Sequence, residues 1–158
     1  MRTGIGFDIH RFQEGRRFIL GGVEIPFHKG LLGHSDGDAL LHSIGDAILG
    51  AMAKPDIGYY FPDTDRKLEG LNSAEIIKKV LSVMEAEKYV IENIDAVIIC
   101  QEPRLLPFFE AIRTKLAGLM GIDPGKIGLK AKTFELMGDI GRGDACACLV
   151  SVLLAGKS

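Results

Sequence analysis

Thr3-Gly4-Ile5-Gly6-Phe7-Asp8-Ile9-His10 is the stretch on which the reading of the fold turns. Ile5, Phe7 and Ile9 alternate with Gly4, Gly6, Asp8 and His10. A period of two predicts a β-strand with one buried face, and it sets Asp8 and His10 on the same side of that strand. A carboxylate and an imidazole are both good ligands for a borderline metal such as zinc. The glycines ahead of them leave room for something bulky to approach the backbone. Two ligands do not make a site, so a third must come from elsewhere in the chain.

Downstream, Arg17-Phe18-Ile19-Leu20 and Val23-Glu24-Ile25 flank Gly21-Gly22, a two-residue hairpin signal. Pro26 to Leu32 reads as loop. His34-Ser35-Asp36-Gly37-Asp38 precedes an apolar run in which Leu41, Ile44, Ile48 and Met52 recur at helical spacing. Ser35 with Asp38 fits a capping box, so a helix is predicted to start there. His42 falls on the flank of the apolar stripe, with Asp38 and Asp46 one turn to either side. Lys54 to Leu71, punctuated by Pro55, Gly58, Pro62 and Gly70, reads as a long loop of the kind that tends to be functional or mobile.

Asn72-Ser73-Ala74-Glu75 caps a second predicted helix, with Ile76, Ile77, Val80, Leu81 and Met84 facing inward. Ile94 to Cys100 has the near-continuous apolar end of a central strand. A third helix is predicted from about Pro107 to Met120, with Gly121 at its end. Ile127 to Thr133 reads as a strand, Phe134 to Asp144 as a loop, and Ala145 to Leu154 as the closing strand. With no helix between them, the last two strands are expected to pair antiparallel. The whole predicts an α+β fold: a two-layer sandwich with a mixed four-stranded sheet, helices on one face and an extra hairpin. The other sheet face is largely apolar, which implies subunits packed on it.

At 158 residues the chain is about one domain long, taken as residues 1–158. It is 47% hydrophobic and 25% charged, ordinary for a globular core. A net charge of −2 argues against binding nucleic acid through a broad basic surface. No apolar run reaches the length of a membrane span. The chain opens directly into its first strand, so the expected location is the cytoplasm, or a plastid if a transit peptide has been removed. The odd count of three cysteines (Cys100, Cys146 and Cys148) fits a reducing compartment. Cys146 and Cys148 can be read as a C-x-C metal pair, but buried thiols in a strand of small residues are the favoured reading.

Asp8, His10 and His42 would give a one-oxygen, two-nitrogen site, leaving a tetrahedral metal one open position, as in catalytic centres. Asp46 is expected to accept the second ring proton of His42 and fix its tautomer. The competing reading is that each histidine is merely a satisfied polar group. His34 and Ser35 offer an imidazole, a hydroxyl and helix-start N–H groups to an anion, or else form an ordinary N-cap. Lys130, Lys132, Thr133 and Glu135 mix phosphate-binding types with a carboxylate that suits magnesium. Gly4-x-Gly6 lacks the third glycine and the helix of a dinucleotide fingerprint. Arg142-Gly143-Asp144 is a tripeptide that recurs by chance.

Taken together, Gly6-Phe7-Asp8-Ile9-His10, His34-Ser35-Asp36-Gly37-Asp38 with His42, Asp56-Ile57-Gly58, Phe61-Pro62-Asp63-Thr64-Asp65, Lys130-Ala131-Lys132-Thr133-Phe134-Glu135 and Gly141-Arg142-Gly143 resemble one family. It is the 2-C-methyl-D-erythritol 2,4-cyclodiphosphate synthases of non-mevalonate isoprenoid biosynthesis. The resemblance runs from Arg2 to the last strand. It implies cyclisation of 4-diphosphocytidyl-2-C-methyl-D-erythritol 2-phosphate with release of CMP. It also implies zinc, or another divalent transition metal, on Asp8, His10 and His42, and magnesium or manganese on Glu135. His34 and Thr133 are implied to stabilise the transition state. Asp8 to His10, His34, Ser35 and Arg142 are implied to contact the substrate, whose methylerythritol 2-phosphate end is implied to lie against Asp56 to Gly58 and Phe61 to Asp65.

Cytidine is implied to sit between Cys100-Gln101-Glu102-Pro103-Arg104-Leu105-Leu106 and Ala131 to Glu135, the pocket being contributed by a neighbouring subunit of a homotrimer. Two positions depart from the pattern. Lys132 stands where many bacterial members have threonine, and it is expected to contact phosphate. Asp139 stands where many have an aromatic residue lining a pocket on the trimer axis. That pocket is associated in some relatives with isoprenyl phosphates held partly by Arg142, and an acidic Asp139 disfavours such a ligand. Some relatives are fused to a cytidylyltransferase domain, for which this chain is too short, so docking to a separate one stays open. The other readings are a zinc-dependent phosphodiester hydrolase and a non-catalytic trimeric scaffold with a structural metal.

Overall fold

A computed structural model describes residues 1–62 and 70–157. The chain runs through β1 (Arg2–Glu14), the hairpin β2 (Phe18–Leu20) and β3 (Val23–Ile25), and β4 (Lys29–Leu31). Then come α1 (Ala39–Ala51), the one-turn α2 (Ile57–Tyr60), α3 (Ser73–Ala86) and β5 (Tyr89–Ile99). A 3-10 turn (Leu106–Phe108) leads into α4 (Phe109–Met120), followed by β6 (Ile127–Lys132), the one-turn α5 (Gly138–Gly141) and β7 (Ala145–Gly156).

Glycine decides how the layers meet. A Cβ on Gly4 would lie 1.9 Å from the Ala47 carbonyl oxygen, and one on Gly6 2.0 Å from that of Ser43. Only bare backbone at both positions lets α1 lie directly on β1. The buried side of the opening strand is therefore the Gly4, Gly6, Asp8 and His10 side. The apolar residues face outward in the single chain, with Ile5, Phe7 and Ile9 at 69%, 54% and 48% exposure. The alternation was legible in the sequence; the face that α1 covers follows from glycine rather than from hydrophobicity.

The sheet has five strands in the order β4-β1-β7-β5-β6, with β2-β3 as a separate hairpin. The expected sheet of four is extended by β4, which pairs with the end of β1 (Phe12 opposite Leu31) inside the segment read as loop. β5 pairs parallel with β6 and antiparallel with β7. The last two strands do not pair with each other, contrary to expectation, because β5 lies between them. β7 takes the centre because its Ala145, Cys146, Ala147 and Cys148 side chains are small enough to be buried between neighbouring elements. The sheet is mixed, and α1, α3 and α4 pack on β1, β5 and β6 respectively.

Helix α1 is buried nearly all round, which is why its sequence is apolar beyond one stripe. Its N-cap is Asp38 rather than Ser35. One Asp38 oxygen accepts from Leu41 N at 3.0 Å and Gly21 N at 2.9 Å; the other accepts from Gly22 N at 2.7 Å. One carboxylate thus starts the helix and pins the hairpin turn, where Gly21 and Gly22 both adopt positive φ, as a tight two-residue turn requires. Burial pushes the Asp38 carboxyl up to about 6 despite these hydrogen bonds.

Candidate active site

Two residues of β1 meet one of α1. Asp8 Oδ2 lies 2.8 Å from His10 Nε2 and 2.9 Å from His42 Nδ1, and the two nitrogens are 3.3 Å apart. Among the described residues this is the one group of three or more His, Cys, Asp or Glu side chains whose ligand atoms all lie within 4.8 Å of one another. The other Asp8 oxygen accepts from Ile9 N at 2.9 Å, so Oδ2 is free for the cluster. His10 Nδ1 lies 2.7 Å from the Leu32 carbonyl. A carbonyl only accepts, so Nδ1 carries a proton and Nε2 is the atom left to face the centre, donating to Asp8 when the ring is charged and offering a lone pair when it is neutral. A carboxylate oxygen and two oriented imidazole nitrogens suit a divalent transition metal.

Electrostatics agree. Burial opposes ionisation of Asp8, yet the hydrogen bonds and positive charge of His10 and His42 outweigh it and hold its carboxyl below the usual range. Burial opposes charge on His10 as well, but the Asp8 hydrogen bond and charge win, and its pKa rises.

The sequence expectation for Asp46 is not met. Asp46 accepts from Ile57 N at 2.8 Å, holding α2 against α1, and does not touch His42. His42 Nε2 instead lies 3.1 Å from Ser35 Oγ and 3.0 Å from Ser73 Oγ. Ser73 had no role in the sequence reading, because a serine beside Asn72 at a helix start looks like part of the cap. Asp56 caps α2 by accepting from Tyr59 N at 3.2 Å, which sets Asp56, Ile57 and Gly58 beside α1 one turn past His42. Phe61 ends α2 and Pro62 follows. Asp63, Thr64 and Asp65 lie outside the described residues.

His34 is exposed, and its carbonyl accepts from Gly70 N at 2.7 Å. It follows Gly33, where a Cβ would sit 3.3 Å from the His10 ring. Ile9 turns its side chain to the opposite face of β1, so only its backbone borders the cluster.

The second half of the predicted site lies across the sheet. A cavity of about 730 Å³ is lined by the whole run Cys100 to Leu106 together with Ala131, Lys132 and Thr133. Phe27 and Phe109 also line it, and no sequence signal marked them. Cys100 is buried, and contact with Cys146 together with burial pushes its thiol upward. All three cysteines are buried, as the reading of buried thiols expected.

Beyond β6, Glu135 and Leu136 are non-glycine residues with φ of 48° and 65°, a strained conformation often found at functional sites. Thr133 donates to Glu135 Oε1 at 3.0 Å and accepts from Glu135 N at 3.4 Å, which holds the turn. Register places Asp8 opposite Cys148, Cys148 opposite Ile98, and Ile98 opposite Ala131. Ala131 on the far wall is three strand spacings from Asp8, roughly 14 Å, and Cys100 on the near wall, beside Cys146 opposite His10, is two, roughly 10 Å. Phe134 is partly exposed and outside the cavity lining. Arg142 is also outside it, engaged by Asp139 and by Asp144 at 3.3 Å.

A family profile described as the YgbB family matches residues 1–155. The 2-C-methyl-D-erythritol 2,4-cyclodiphosphate synthase of Alkaliphilus metalliredigens is 51% identical over 154 residues, spanning 96% of this chain and 97% of its own. Among solved structures, the bifunctional IspDF of Campylobacter jejuni superposes with a TM-score of 0.94 at 42% identity, covering 98% of this chain; the match spans 42% of that longer protein. A Plasmodium falciparum IspF in complex with CDP superposes with a TM-score of 0.88 at 35% identity, over 99% of this chain and 97% of that one. The cluster, the cavity and these likenesses agree, and the chain belongs to the 2-C-methyl-D-erythritol 2,4-cyclodiphosphate synthase (YgbB) family.

Proposed function

We propose that the protein cyclises 4-diphosphocytidyl-2-C-methyl-D-erythritol 2-phosphate to 2-C-methyl-D-erythritol 2,4-cyclodiphosphate and CMP. An oxygen of the 2-phosphate bonds to the β-phosphorus, the bond between that phosphorus and the oxygen bridging to the α-phosphate breaks, and CMP leaves with the electron pair. Such a step depends on alignment and charge neutralisation rather than on a protein nucleophile. The observation that carries the reading is the convergence of Asp8, His10 and His42. These residues would hold zinc or a similar ion, which supplies a Lewis acid and a template for a β-phosphate oxygen.

His34 and the Thr133 hydroxyl are assigned to the developing charge, and Glu135 to a magnesium or manganese ion that partners phosphates. The strained turn that carries Glu135 supports this role. Asp56 to Gly58 hold the methylerythritol end beside the cluster, and the 730 Å³ cavity takes cytidine. The CDP bound to the Plasmodium relative supports that assignment.

Because two to three strands of sheet, roughly 10–14 Å, lie between the cluster and the cavity walls, the reaction is assigned to a subunit interface, with the cluster of one subunit facing the cavity of the next in a homotrimer. The outward Ile5, Phe7, Ile9 and Leu149 support burial of this sheet face between subunits. Three free thiols suit a reducing compartment such as the cytoplasm. Among the described residues no helix is long and apolar enough to cross a membrane. Arg142, already engaged by two aspartates, is not assigned to an axial isoprenyl phosphate.

The test is incubation of the zinc- and magnesium-loaded protein with the cytidyl substrate in ¹⁸O-water, followed by phosphorus NMR. Two mutually coupled phosphorus signals of a cyclic diphosphate, with equimolar CMP and no ¹⁸O, are expected. An ¹⁸O-labelled acyclic product would mean a hydrolase and would refute the proposal.

A further inference from the structure

His42 turns Nδ1 to the cluster, so its Nε2 decides whether the lone pair at Nδ1 is available. An imidazole with a proton on Nδ1 cannot coordinate through that atom. Nε2 meets two hydroxyls, Ser73 Oγ at 3.0 Å and Ser35 Oγ at 3.1 Å, and a hydroxyl can donate or accept. What lies behind Ser73 removes the ambiguity. The Ser73 hydroxyl bonds Asp36 Oδ1 in a short contact, and Ser73 N donates to Asp36 Oδ2 at 3.1 Å. An ionised carboxylate only accepts, so the Ser73 proton points at Asp36 and the Ser73 lone pairs point at His42. Without a metal, the Asp8 carboxylate 2.9 Å from Nδ1 draws a ring proton to that side as well; with a cation on Nδ1 the ring keeps its one proton on Nε2, and Ser73 is turned to accept it. Ser35 Oγ accepts from Gly37 N at 3.2 Å and lies 3.4 Å from Ser73 Oγ, to which it can give its own proton since the Ser73 proton is committed to Asp36.

We propose that Ser73, oriented by Asp36, is the positioning residue that fixes His42 as a metal ligand. The proposal rests on the reading of Asp8, His10 and His42 as the metal site. In many metal sites a carboxylate or carbonyl accepts the outer proton of a ligating histidine directly. His10 follows that pattern through Leu32, whereas His42 reaches its carboxylate through a serine. Ser73 is fully buried, at the first position of α3, so the support for the cluster comes from that helix start. Backbone bonds from Asp36 N to the Leu71 carbonyl, 3.2 Å, and from Gly70 N to the His34 carbonyl, 2.7 Å, close the same junction. The relay therefore ties the metal ligand to the point where the chain leaves the segment that bears the substrate-end residues.

Two substitutions separate positioning from packing. Ser73→Ala removes the acceptor with little change in volume. Asp36→Asn is nearly isosteric, but an amide cannot accept at both atoms. Wherever its NH2 sits, it either reverses the Ser73 hydroxyl, which favours the wrong His42 tautomer, or faces the Ser73 N–H. Cobalt affinity of the apoproteins, followed by visible absorption against a competing chelator, is expected to fall about ten- to hundredfold in each, with Asp36→Asn affected at least as much as Ser73→Ala. His42→Ala serves as reference.

If His42→Ala abolishes cobalt binding while both substitutions stay within about twofold of wild type, the relay is refuted and the metal site stands. If His42→Ala also binds normally, the metal reading itself fails. A further measurement needs no variant. In the zinc-loaded wild-type protein, ¹H–¹⁵N NMR of the imidazoles is expected to show His42 with metal at Nδ1 and a slowly exchanging proton on Nε2. Metal at Nε2, or a proton there that exchanges as fast as in free imidazole, overturns the proposal even if both variants fail to fold.

Discussion

Gly6→Ala is the most exposing perturbation of this fold, because it acts on stability and on the metal cluster through one contact. The added Cβ would lie 2.0 Å from the Ser43 carbonyl oxygen and 2.8 Å from Ala47 N. Ordinary contact begins at 3.4 Å, so α1 would have to withdraw by about 1.4 Å at Ser43. The obstacle is helix backbone, so no side-chain rotation relieves it. The cost belongs at the upper end of over-packing, about 3 kcal/mol. For a domain of this size that is a fall in Tm of roughly 6–12 °C. His42 adjoins Ser43, so the same withdrawal opens its 2.9 Å approach to Asp8, and zinc affinity should drop by about a hundredfold.

Gly50→Ala is the internal control. It lies in the same helix, is exposed, and a Cβ there meets only the Ile5 carbonyl oxygen at 3.7 Å. Helix propensity should make that variant more stable by roughly 0.5–1 kcal/mol. Thermal melts of the apoproteins and zinc titrations against a chelator measure both effects. If Gly6→Ala melts within 2 °C of wild type (about 1 kcal/mol or less at this size) and keeps its zinc affinity, the close approach of α1 to β1 does not organise the site.

Asp38→Ala should cost more than a lost helix cap, because Gly21 N and Gly22 N lose their acceptor too. Roughly 3–5 kcal/mol is expected from urea unfolding, and a loss of only about 1 would mean that the hairpin is held otherwise. The pH dependence of the apoprotein follows from the Asp8–His10 pair. His10 has a raised pKa, so its contribution is complete below its unfolded value and is lost as pH rises through the folded one; Asp8 is held low, so its contribution is lost only in strong acid. Zinc must displace the His10 proton, so calorimetry in buffers of different ionisation enthalpy should find more protons released at about pH 6 than at about pH 8; equal release would contradict the assignment. Lys132 lines the cavity and makes no ion pair among the described residues. Lys132→Thr should weaken CDP binding about three- to tenfold and flatten its salt dependence, and unchanged binding would remove Lys132 from phosphate recognition.

What the sequence discloses follows the range of the interaction concerned. Alternation along β1, the Gly21-Gly22 turn and the helical spacing of Leu41, Ile44 and Ile48 are local, and each appears where expected. The Asp8 and His10 pairing is local as well, and His42 joins it because a strand and a helix each offer one face. What failed was the choice among near-equivalent partners in three dimensions. Ser35 and Asp38 both suit an N-cap, and the hairpin amides, distant in sequence, select Asp38. Asp46, one turn from His42, was the candidate for its second nitrogen, but Ile57 N holds it, and the first residue of α3, which nothing nearby in sequence marks, reaches the ring instead. β4 is three residues long and has no pattern of its own; it exists because the end of β1 leaves an edge to pair.

The cavity walls divide in the same way between runs that the family resemblance implied and residues that nothing marked. Cys100 to Leu106 and Ala131 to Thr133 are continuous runs following or ending the parallel pair β5 and β6, so chain direction alone brings them to one end of the sheet. Phe27 and Phe109 arrive from the hairpin side and from the start of α4, and nothing in their neighbouring residues announces it. A parallel pair gathers its C-terminal ends whatever the loops contain, while the antiparallel β7 carries the chain back toward β1. That topology puts the cavity and the Asp8-His10-His42 cluster on one sheet with β7 between the strands that carry them. The outward Ile5, Phe7 and Ile9 are the other side of the same choice: glycine on the face that α1 covers leaves the apolar side chains of β1 on the opposite face.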